Sequence, residues 1–342
     1  MLDRIVVLAR RLHAWHSRTR NHTGYRILLG GLSLAILALC AWFIWQQVSG
    51  SYSTVAESGL HLAPERLAIS WLCVTAATAL GAWEWTLLVR ALGGKLELVQ
   101  GMSIHLTSNL AKYVPGYVWS YAGKGILAVR QGVPANVATM SIAAEFAIVY
   151  ICGALLTLLA LPFSDLVALP LGWRAVLQVA AIGLAGSVIL GILPLARWPT
   201  LQAKAKRSRL LKPLLSFRPS RTSFVMLAVL ITWWLLAYGF SVLYGQSLYS
   251  GWNHLARHAV ALAGALLLGQ IAFFAPTGVG VREAVLVTLL AASSSAAEVL
   301  ILAIVFRIEM ILGEVLCAAI AIAAARAQSA LESRSGANNT NG

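Results

Sequence analysis

Charged side chains are scarce in this chain of 342 residues. Asp, Glu, Lys and Arg together make up 11% of the residues, against roughly 25% in an ordinary soluble domain. This scarcity excludes a water-soluble enzyme. Hydrophobic residues make up 59%, the mean hydropathy is +0.78, and apolar stretches of membrane-spanning length recur along the chain. The composition therefore predicts an integral membrane protein.

Cysteine is also rare, and its spacing argues against two common kinds of site. The four cysteines lie inside apolar runs without a CxxC pair, so neither a disulfide framework nor a zinc site is expected. The longest polar loop contains no acid, whereas a membrane enzyme would need paired carboxylates, a metal set or a nucleophile at an interface. We therefore expect no catalytic residue, no metal and no cofactor.

Basic residues are concentrated in two segments. Residues 1–26 hold six arginines and one acid, and residues 197–221 hold eight basic residues and no acid. Because loops rich in Lys and Arg stay on the cytoplasmic side, this pattern reports topology, and no nucleic-acid partner is expected. Residues 1–24 are predicted to form an amphipathic basic segment in the cytoplasm, and residues 327–342 a disordered polar tail.

Six apolar runs are long enough to cross about 30 Å of hydrocarbon at 1.5 Å per helical residue. They are residues 25–49, 67–91, 136–161, 173–196, 222–249 and 296–325. With the 197–221 loop in the cytoplasm, six crossings place both termini in the cytoplasm as well. The prediction is a multi-pass protein of the cytoplasmic membrane.

Two further intervals have a different pattern, in which a helix-breaking motif separates two apolar pieces. Residues 98–112 and 117–131 flank Val114-Pro115-Gly116, and each is too short to span. The interval 254–293 repeats this order around residues 274–280, which read FAPTGVG. Both intervals are predicted to be re-entrant helical hairpins. The helix 254–275 is long enough to span alone, which leaves a topology with more crossings as the alternative.

The predicted fold is an all-α polytopic membrane protein with an inverted repeat. Residues 25–326 form a single transmembrane domain, in which the units 67–161 and 222–325 share the order span, hairpin, span but run in opposite directions. Inverted repeats of this kind place a substrate site near the middle of the bilayer, where broken helices meet.

Ionisable groups inside the apolar segments each cost about 2.5–3.5 kcal/mol on insertion scales, so each is expected to face a partner or a polar cavity. Lys112 and Lys124 flank the first break, and Arg282 follows the second. Cations beside free helix ends favour a phosphate or another anionic headgroup. The full set of these ionisable residues is Glu84, Lys112, Lys124, Glu145, Arg282, Glu283, Arg307, Glu309 and Glu314.

Three carboxylates, Glu145, Glu309 and Glu314, are candidates for proton coupling. Glu145 has no basic residue one helical turn away, and the alternative is a salt bridge to Lys124 or Arg307. Arg307 and Glu314 share one helix face at i and i+7, so a purely structural ion pair between them is equally open. Aromatic residues around the first break favour an interfacial belt over a carbohydrate platform.

The motifs themselves resemble a known family. Residues 109–119 read NLAKYVPGYVW, Gly123-Lys124 follow, and residues 276–284 read PTGVGVREA. These motifs, with Arg307 in the last span, resemble the lysylphosphatidylglycerol synthase transmembrane-region family, without its soluble aminoacyl-transferase domain. The resemblance implies movement of anionic or aminoacylated phospholipids, or lipid-linked saccharides, between leaflets. Its implied substrate-binding residues are Lys112, Tyr113, Pro115, Gly116, Trp119, Lys124, Pro276, Gly278, Gly280, Arg282, Glu283 and Arg307.

The leading hypothesis from the sequence is a lipid flippase whose partners are membrane lipids with anionic headgroups. No ATP-binding motif occurs in the sequence, so movement would be downhill or coupled to an ion gradient. Two alternatives stay open: a membrane-embedded enzyme acting on a prenyl-phosphate lipid, and a scaffold subunit that works with a separate lipid-modifying enzyme.

Overall fold

The structure is a computed structural model that describes residues 62–113, 118–164, 207–208, 213, 219–245, 251–271, 280–291 and 293–339. Within these ranges every regular element is a helix. The predicted spans 25–49 and 173–196, the segment 1–24 and most of the 197–221 loop lie outside the described residues.

Eight α-helices, numbered here in chain order, make up the described structure. They are α1 (Pro64–Ala91), α2 (Leu98–Asn109), α3 (Val118–Arg130), α4 (Ala135–Ala160), α5 (Pro219–Leu243), α6 (Trp252–Ile271), α7 (Val281–Leu290) and α8 (Ala296–Asn339). Short 3-10 turns at Leu110–Tyr113 and Leu161–Phe163 extend α2 and α4.

Three helical segments in the described ranges are long and apolar enough to cross a membrane. They are Pro64–Ala91, Ala135–Phe163 and Phe224–Leu243, and they coincide with the predicted spans at 67–91, 136–161 and 222–249. Large apolar side chains cover the outside of the helices, such as Leu72, Leu227 and Leu312, each more than half exposed. This is the distribution expected when the surrounding solvent is hydrocarbon.

The last predicted span, 296–325, lies within α8, a single helix of 44 residues. The backbone of α8 stays helical to Asn339, through most of the segment 327–342 that the sequence was expected to leave disordered. The reason is local propensity: ten of residues 321–335 are Ala, Arg, Glu or Leu, all strong helix formers, and this stretch contains no proline or glycine.

The two intervals with a central break fold as pairs of packed antiparallel helices. In α2 and α3, His105 contacts Lys124, and Ser108 lies opposite Gly123. In α6 and α7, Gly264 faces Leu289, and Gly269 faces Arg282. In each pair the residue numbers of the contacts rise along one helix and fall along the other, so the two helices are antiparallel. The connecting residues 114–117 and 272–279 are outside the described ranges.

The helix contacts follow an exchange pattern between two sets of four, α1–α4 and α5–α8. Helix α1 packs on α5, which is its counterpart in the second set. The contact between α4 and α6 matches that between α8 and α2, and the contact between α1 and α8 matches that between α5 and α4. Within each set of four, every helix contacts the next helix in the chain, and the first helix also contacts the fourth. Exchanging the sets therefore maps these helix contacts onto one another.

The tightest helix packing uses small residues. The α6 segment buries Ala256, Ala259, Ala261 and Ala263, and Gly153 of α4 lies against the ring of Trp233 in α5, so that a Cβ there would be 2.6 Å from Cζ2. Lipid tails are as hydrophobic as apolar side chains, so the hydrophobic effect does not drive helices together inside a membrane. Close backbone approach of this kind stabilises the helix contacts through van der Waals packing instead.

Candidate functional site

A cavity of about 210 Å³ lies among the helices, and all eight helices contribute to its wall. Most of its lining is apolar, but a group of ionisable and polar side chains also faces it. These are Glu84, His105, Asn109, Lys112, Tyr121, Lys124, Glu145, Thr232, Gln270 and Arg282. The cavity therefore brings the lysines of the first motif together with the arginine of the second.

Lys124 of α3 is the most enclosed cation in this wall, with 3% of its side chain exposed. Its Nζ donates to both carboxylate oxygens of Glu145 in α4, each at 2.8 Å. The same Nζ lies 3.2 Å from Nδ1 of His105 and 5.4 Å from the ring centroid of Trp85. The salt bridge between Glu145 and Lys124, one of the two considered from the sequence, is thus present. The negative charge of Glu145 is therefore compensated.

Lys112, in the 3-10 turn after α2, pairs with Glu314 of α8. The neighbouring Tyr113 donates its hydroxyl to the other oxygen of Glu314 at 2.9 Å. Glu314 is 4% exposed, so a cation and a hydroxyl satisfy a carboxylate that would otherwise be costly to bury. This ion pair also connects the 3-10 turn at the end of α2 to α8.

Glu283 holds the start of α7 and joins it to α8. One of its oxygens accepts the backbone N–H of Gly280 at 2.7 Å, which satisfies a donor at the helix N-terminus. The other oxygen accepts from Arg307 of α8 at 2.8 Å. Gly280 has φ of +81°, a conformation that glycine adopts without steric cost. Arg307 and Glu314, considered as a possible pair from the sequence, both have partners on other elements.

Arg282 lies beside this cap and lines the cavity. The aliphatic part of the Arg282 side chain passes close to Gly269 of α6. A Cβ added at Gly269 would overlap Cγ of Arg282 and lie 2.7 Å from its Nε. The Nε atom is buried and has no hydrogen-bond partner in the part of the chain that is described. No carboxylate within the same ranges forms an ion pair with Arg282. It is therefore a cation in the cavity wall without a carboxylate partner among the described residues.

Glu84 of α1 is the carboxylate that sequence reasoning recorded but gave no role. It is 6% exposed, lines the cavity, and accepts a hydrogen bond of 2.6 Å from the Thr232 hydroxyl of α5. No described basic side chain pairs with it. The presence of a carboxylate in an apolar run was the available signal for a buried polar site. Its neutral partner, Thr232, lies 148 positions away and could not be inferred from the sequence.

Glu309 lies elsewhere, in a groove between α1 and α8 that is lined by apolar side chains and Trp71. Its Oε2 accepts from the Ser70 hydroxyl at 2.5 Å, and its Oε1 has no partner among the described residues. Of the three coupling candidates, Glu145 and Glu314 are each bound by a lysine, and Glu309 is bound by a hydroxyl. Glu309 is also separate from the cavity.

The remaining predicted site residues fall into two groups. Pro115, Gly116, Pro276 and Gly278 lie outside the described residues, so their positions relative to the cavity are not described. Trp119 is 60% exposed and is not among the described lining residues of the cavity. This exposure agrees with an aromatic residue in an interfacial belt.

The close approach of Gly269 to Arg282 leads to a prediction. Gly269→Ala should destabilise the protein by about 1–3 kcal/mol, because the new methyl group overlaps the arginine stem and forces it from its rotamer. The matched control is Gly264→Ala on the same helix, where the new Cβ would lie 3.6 Å from Leu289, an ordinary contact. Thermal unfolding in detergent should show a lower Tm for Gly269→Ala alone. Equal Tm values for the two variants would contradict the overlap.

Comparison with known proteins assigns the chain to a family. The family model described as the lysylphosphatidylglycerol synthase TM region matches residues 30–316. This match includes both motifs and all nine ionisable residues of the apolar segments, from Glu84 to Glu314. A search among curated proteins gives no significant match. The chain therefore belongs to the lysylphosphatidylglycerol synthase TM-region family.

Proposed function

We propose that this protein moves a phosphate-bearing lipid headgroup from one leaflet of the cytoplasmic membrane to the other. The observation that carries the proposal is the cavity itself, where cations from two motifs 158 positions apart, Lys124 and Arg282, share one polar wall inside an apolar helical protein. Ionisable groups at membrane depth are expensive and generally mark the path of a polar substrate.

Arg282 is the proposed phosphate ligand. Lys112 and Lys124 are each compensated by a carboxylate, whereas Arg282 has no such partner in the described structure. Its planar guanidinium can bind two phosphate oxygens at once. The N-terminal end of α7, where Arg282 is the second residue, adds partial positive charge from the helix dipole.

The size of the cavity supports a headgroup as the occupant. At about 210 Å³ it is smaller than the roughly 300–1,000 Å³ of pockets that enclose drug-sized ligands. A phosphate with a small substituent fits, whereas acyl or prenyl chains must stay outside. The apolar outer faces of the helices would let those chains remain in the hydrocarbon during movement.

The proposed topology has six spans and two re-entrant hairpins arranged as an inverted repeat, with both termini in the cytoplasm. Helices α2 and α3, with 12 and 13 residues, reach only about 18–20 Å. The four-residue 3-10 turn after α2 adds about 8 Å, so both helices still fall short of about 30 Å of hydrocarbon. The exchange pattern of the helix contacts supports an internal repeat, because α1–α4 and α5–α8 would be its two units. A separate lipid-modifying enzyme would supply the cargo.

Reconstitution into proteoliposomes tests the proposed function. Gly81 lines the cavity, and an added Cβ there meets no atom within 4 Å, so the side chain of Gly81→Leu should enter the cavity and fill part of it. We expect the translocation rate of a fluorescent phospholipid headgroup, read by dithionite quenching, to fall by about tenfold or more. Ala76→Leu, on the exposed face of the same helix, should leave the rate unchanged.

Three results would contradict the proposal. They are a wild-type rate equal to that of protein-free vesicles, equal rates for Gly81→Leu and wild type, or chemical conversion of the labelled lipid by purified protein. The last result would identify a membrane enzyme.

A further inference from the structure

The groove between α1 and α8 takes no part in the proposed headgroup site. Its volume is about 340 Å³. Along α1 it centres on Ala68 and Trp71, roughly 20 Å from the cavity residues Gly81 and Glu84 at 1.5 Å per residue. Besides Trp71 and Glu309, its described lining is aliphatic and consists of Leu67, Ala68, Val305, Ile308 and Leu312. The groove is therefore a separate and mainly apolar cavity.

Two polar atoms in the wall of this groove lack partners. Glu309 is 6% exposed, and its Oε2 accepts from the Ser70 hydroxyl at 2.5 Å, whereas its Oε1 is buried and has no partner among the described residues. The indole Nε1 of Trp71 is also buried and unpartnered within the same ranges. Buried polar atoms are nearly always hydrogen-bonded, because leaving one unpaired is costly. The groove thus holds an unpaired donor from α1 and an unpaired carboxyl oxygen from α8.

The surroundings of these atoms indicate which polar group fits them. None of the described lining residues is a cation, so an anionic headgroup would be buried there without a counterion. Both atoms lie beneath the groove surface, which favours a small group over a bulky one. A hydroxyl is small and neutral. It also pairs with Glu309 in either protonation state, because it donates to a carboxylate and accepts from a carboxylic acid.

We propose that the α1–α8 groove binds a neutral lipid of the diacylglycerol class. The free hydroxyl pairs with Glu309, and a neighbouring ester carbonyl accepts from the indole N–H of Trp71. Diacylglycerol carries both groups within a few bonds, whereas a simple long-chain alcohol offers the hydroxyl alone. The aliphatic lining contacts the acyl chains. This site lies outside the headgroup cavity, so the inference does not depend on the proposed function.

Native mass spectrometry of the full-length protein in detergent tests the role of the hydroxyl. The two main probes are 1,2-dioctanoylglycerol and 1,2-propanediol dioctanoate, which differs only in lacking the hydroxyl. Wild type should bind dioctanoylglycerol about tenfold more tightly. In Glu309→Leu the two probes should bind equally, because leucine offers no polar partner. Glu309→Gln should keep a preference, since an amide both donates and accepts.

The indole N–H predicts a different pattern. Trp71→Phe should weaken the binding of both probes, because both contain ester carbonyls, but it should leave their ratio above one. Glu97→Leu is the matched control for Glu309→Leu, because Glu97 is an exposed carboxylate outside the groove, and it should retain the wild-type preference. Thermal unfolding of each variant shows whether the fold is retained.

A filling substitution tests the location of the site. Ala68 is exposed and lines the groove, so the ring of Ala68→Phe should occupy the groove and abolish the binding of dioctanoylglycerol. Ala76→Phe, on the same helix but outside the groove, should bind it as wild type does. Dioctanoyl phosphatidylglycerol serves as the anionic probe, and Ala68→Phe should not change its binding.

Loss of the hydroxyl preference in Glu309→Leu, with retention in Glu309→Gln and Glu97→Leu, supports the inference. Three results would overturn it: equal binding of the two main probes by wild type, an unchanged preference in Glu309→Leu, or unchanged binding of dioctanoylglycerol in Ala68→Phe. Loss of phosphatidylglycerol binding in Ala68→Phe would identify an anionic-lipid site and overturn it as well. None of these variants alters a lining residue of the cavity, so the proposed function is tested separately.

Discussion

Replacing Arg282 with alanine is expected to slow headgroup translocation by about thirtyfold or more. Removing one member of a buried, hydrogen-bonded charge pair costs about 2 kcal/mol at the lower end, which corresponds to that factor. The effect should be large because Arg282 is the cavity cation without a carboxylate partner among the described residues. Arg282→Lys should recover only part of the rate, since an ammonium group cannot reproduce the two-pronged geometry of guanidinium.

Arg130→Ala is the matched control for this substitution. Arg130 is an exposed arginine at the end of α3 and does not line the cavity. Its removal should leave the proteoliposome rate unchanged. A wild-type rate for Arg282→Ala would eliminate Arg282 as the phosphate ligand, and full activity of Arg282→Lys would show that only a point charge is needed.

Lys124→Met is expected to cause the largest loss of stability, about 3–5 kcal/mol in the free energy of unfolding. The substitution leaves the Glu145 carboxylate without the cation that donates to both of its oxygens. The double variant Lys124→Met/Glu145→Leu should recover most of the loss, because neither charge is then buried alone. Unfolding in mixed micelles by titration with sodium dodecyl sulfate measures both quantities.

An exposed lysine provides the reference for this prediction. Lys95, in the loop between α1 and α2, is exposed, and Lys95→Met should change the free energy of unfolding by no more than about 0.5 kcal/mol. A similarly small change for Lys124→Met would mean that the Lys124–Glu145 pair contributes little. A double variant less stable than the single one would mean that Glu145 has a second stabilising partner, such as His105, whose Nδ1 lies 3.5 Å from Oε1 of Glu145.

Several features could be predicted from the sequence because they depend on local pattern. Apolar runs of membrane length gave the helices at 64–91, 135–160 and 219–243, and proline with glycine gave the break after Tyr113. One residue pair, Lys124 with Glu145, was among the alternatives because these residues lie on helices adjacent in sequence. Short-range order of this kind is set by hydrophobicity and helix-breaking residues.

Long-range partners could not be predicted in the same way. Lys112 pairs with Glu314 across 202 positions, and any carboxylate in the later helices was an equal candidate from the sequence. Glu84 looked no different from the other buried acids, because its distinguishing property is the neutral hydroxyl of Thr232 on another helix. Which acids are compensated depends on helix packing, and that information is absent from a single sequence.

The wall of the cavity is shared by the whole described bundle. Every helix from α1 to α8 contributes at least one lining residue. Sliding or tilting any two helices relative to each other changes the shape of the wall. A substitution at a helix contact remote from the cavity can therefore alter the cavity by moving a helix that lines it.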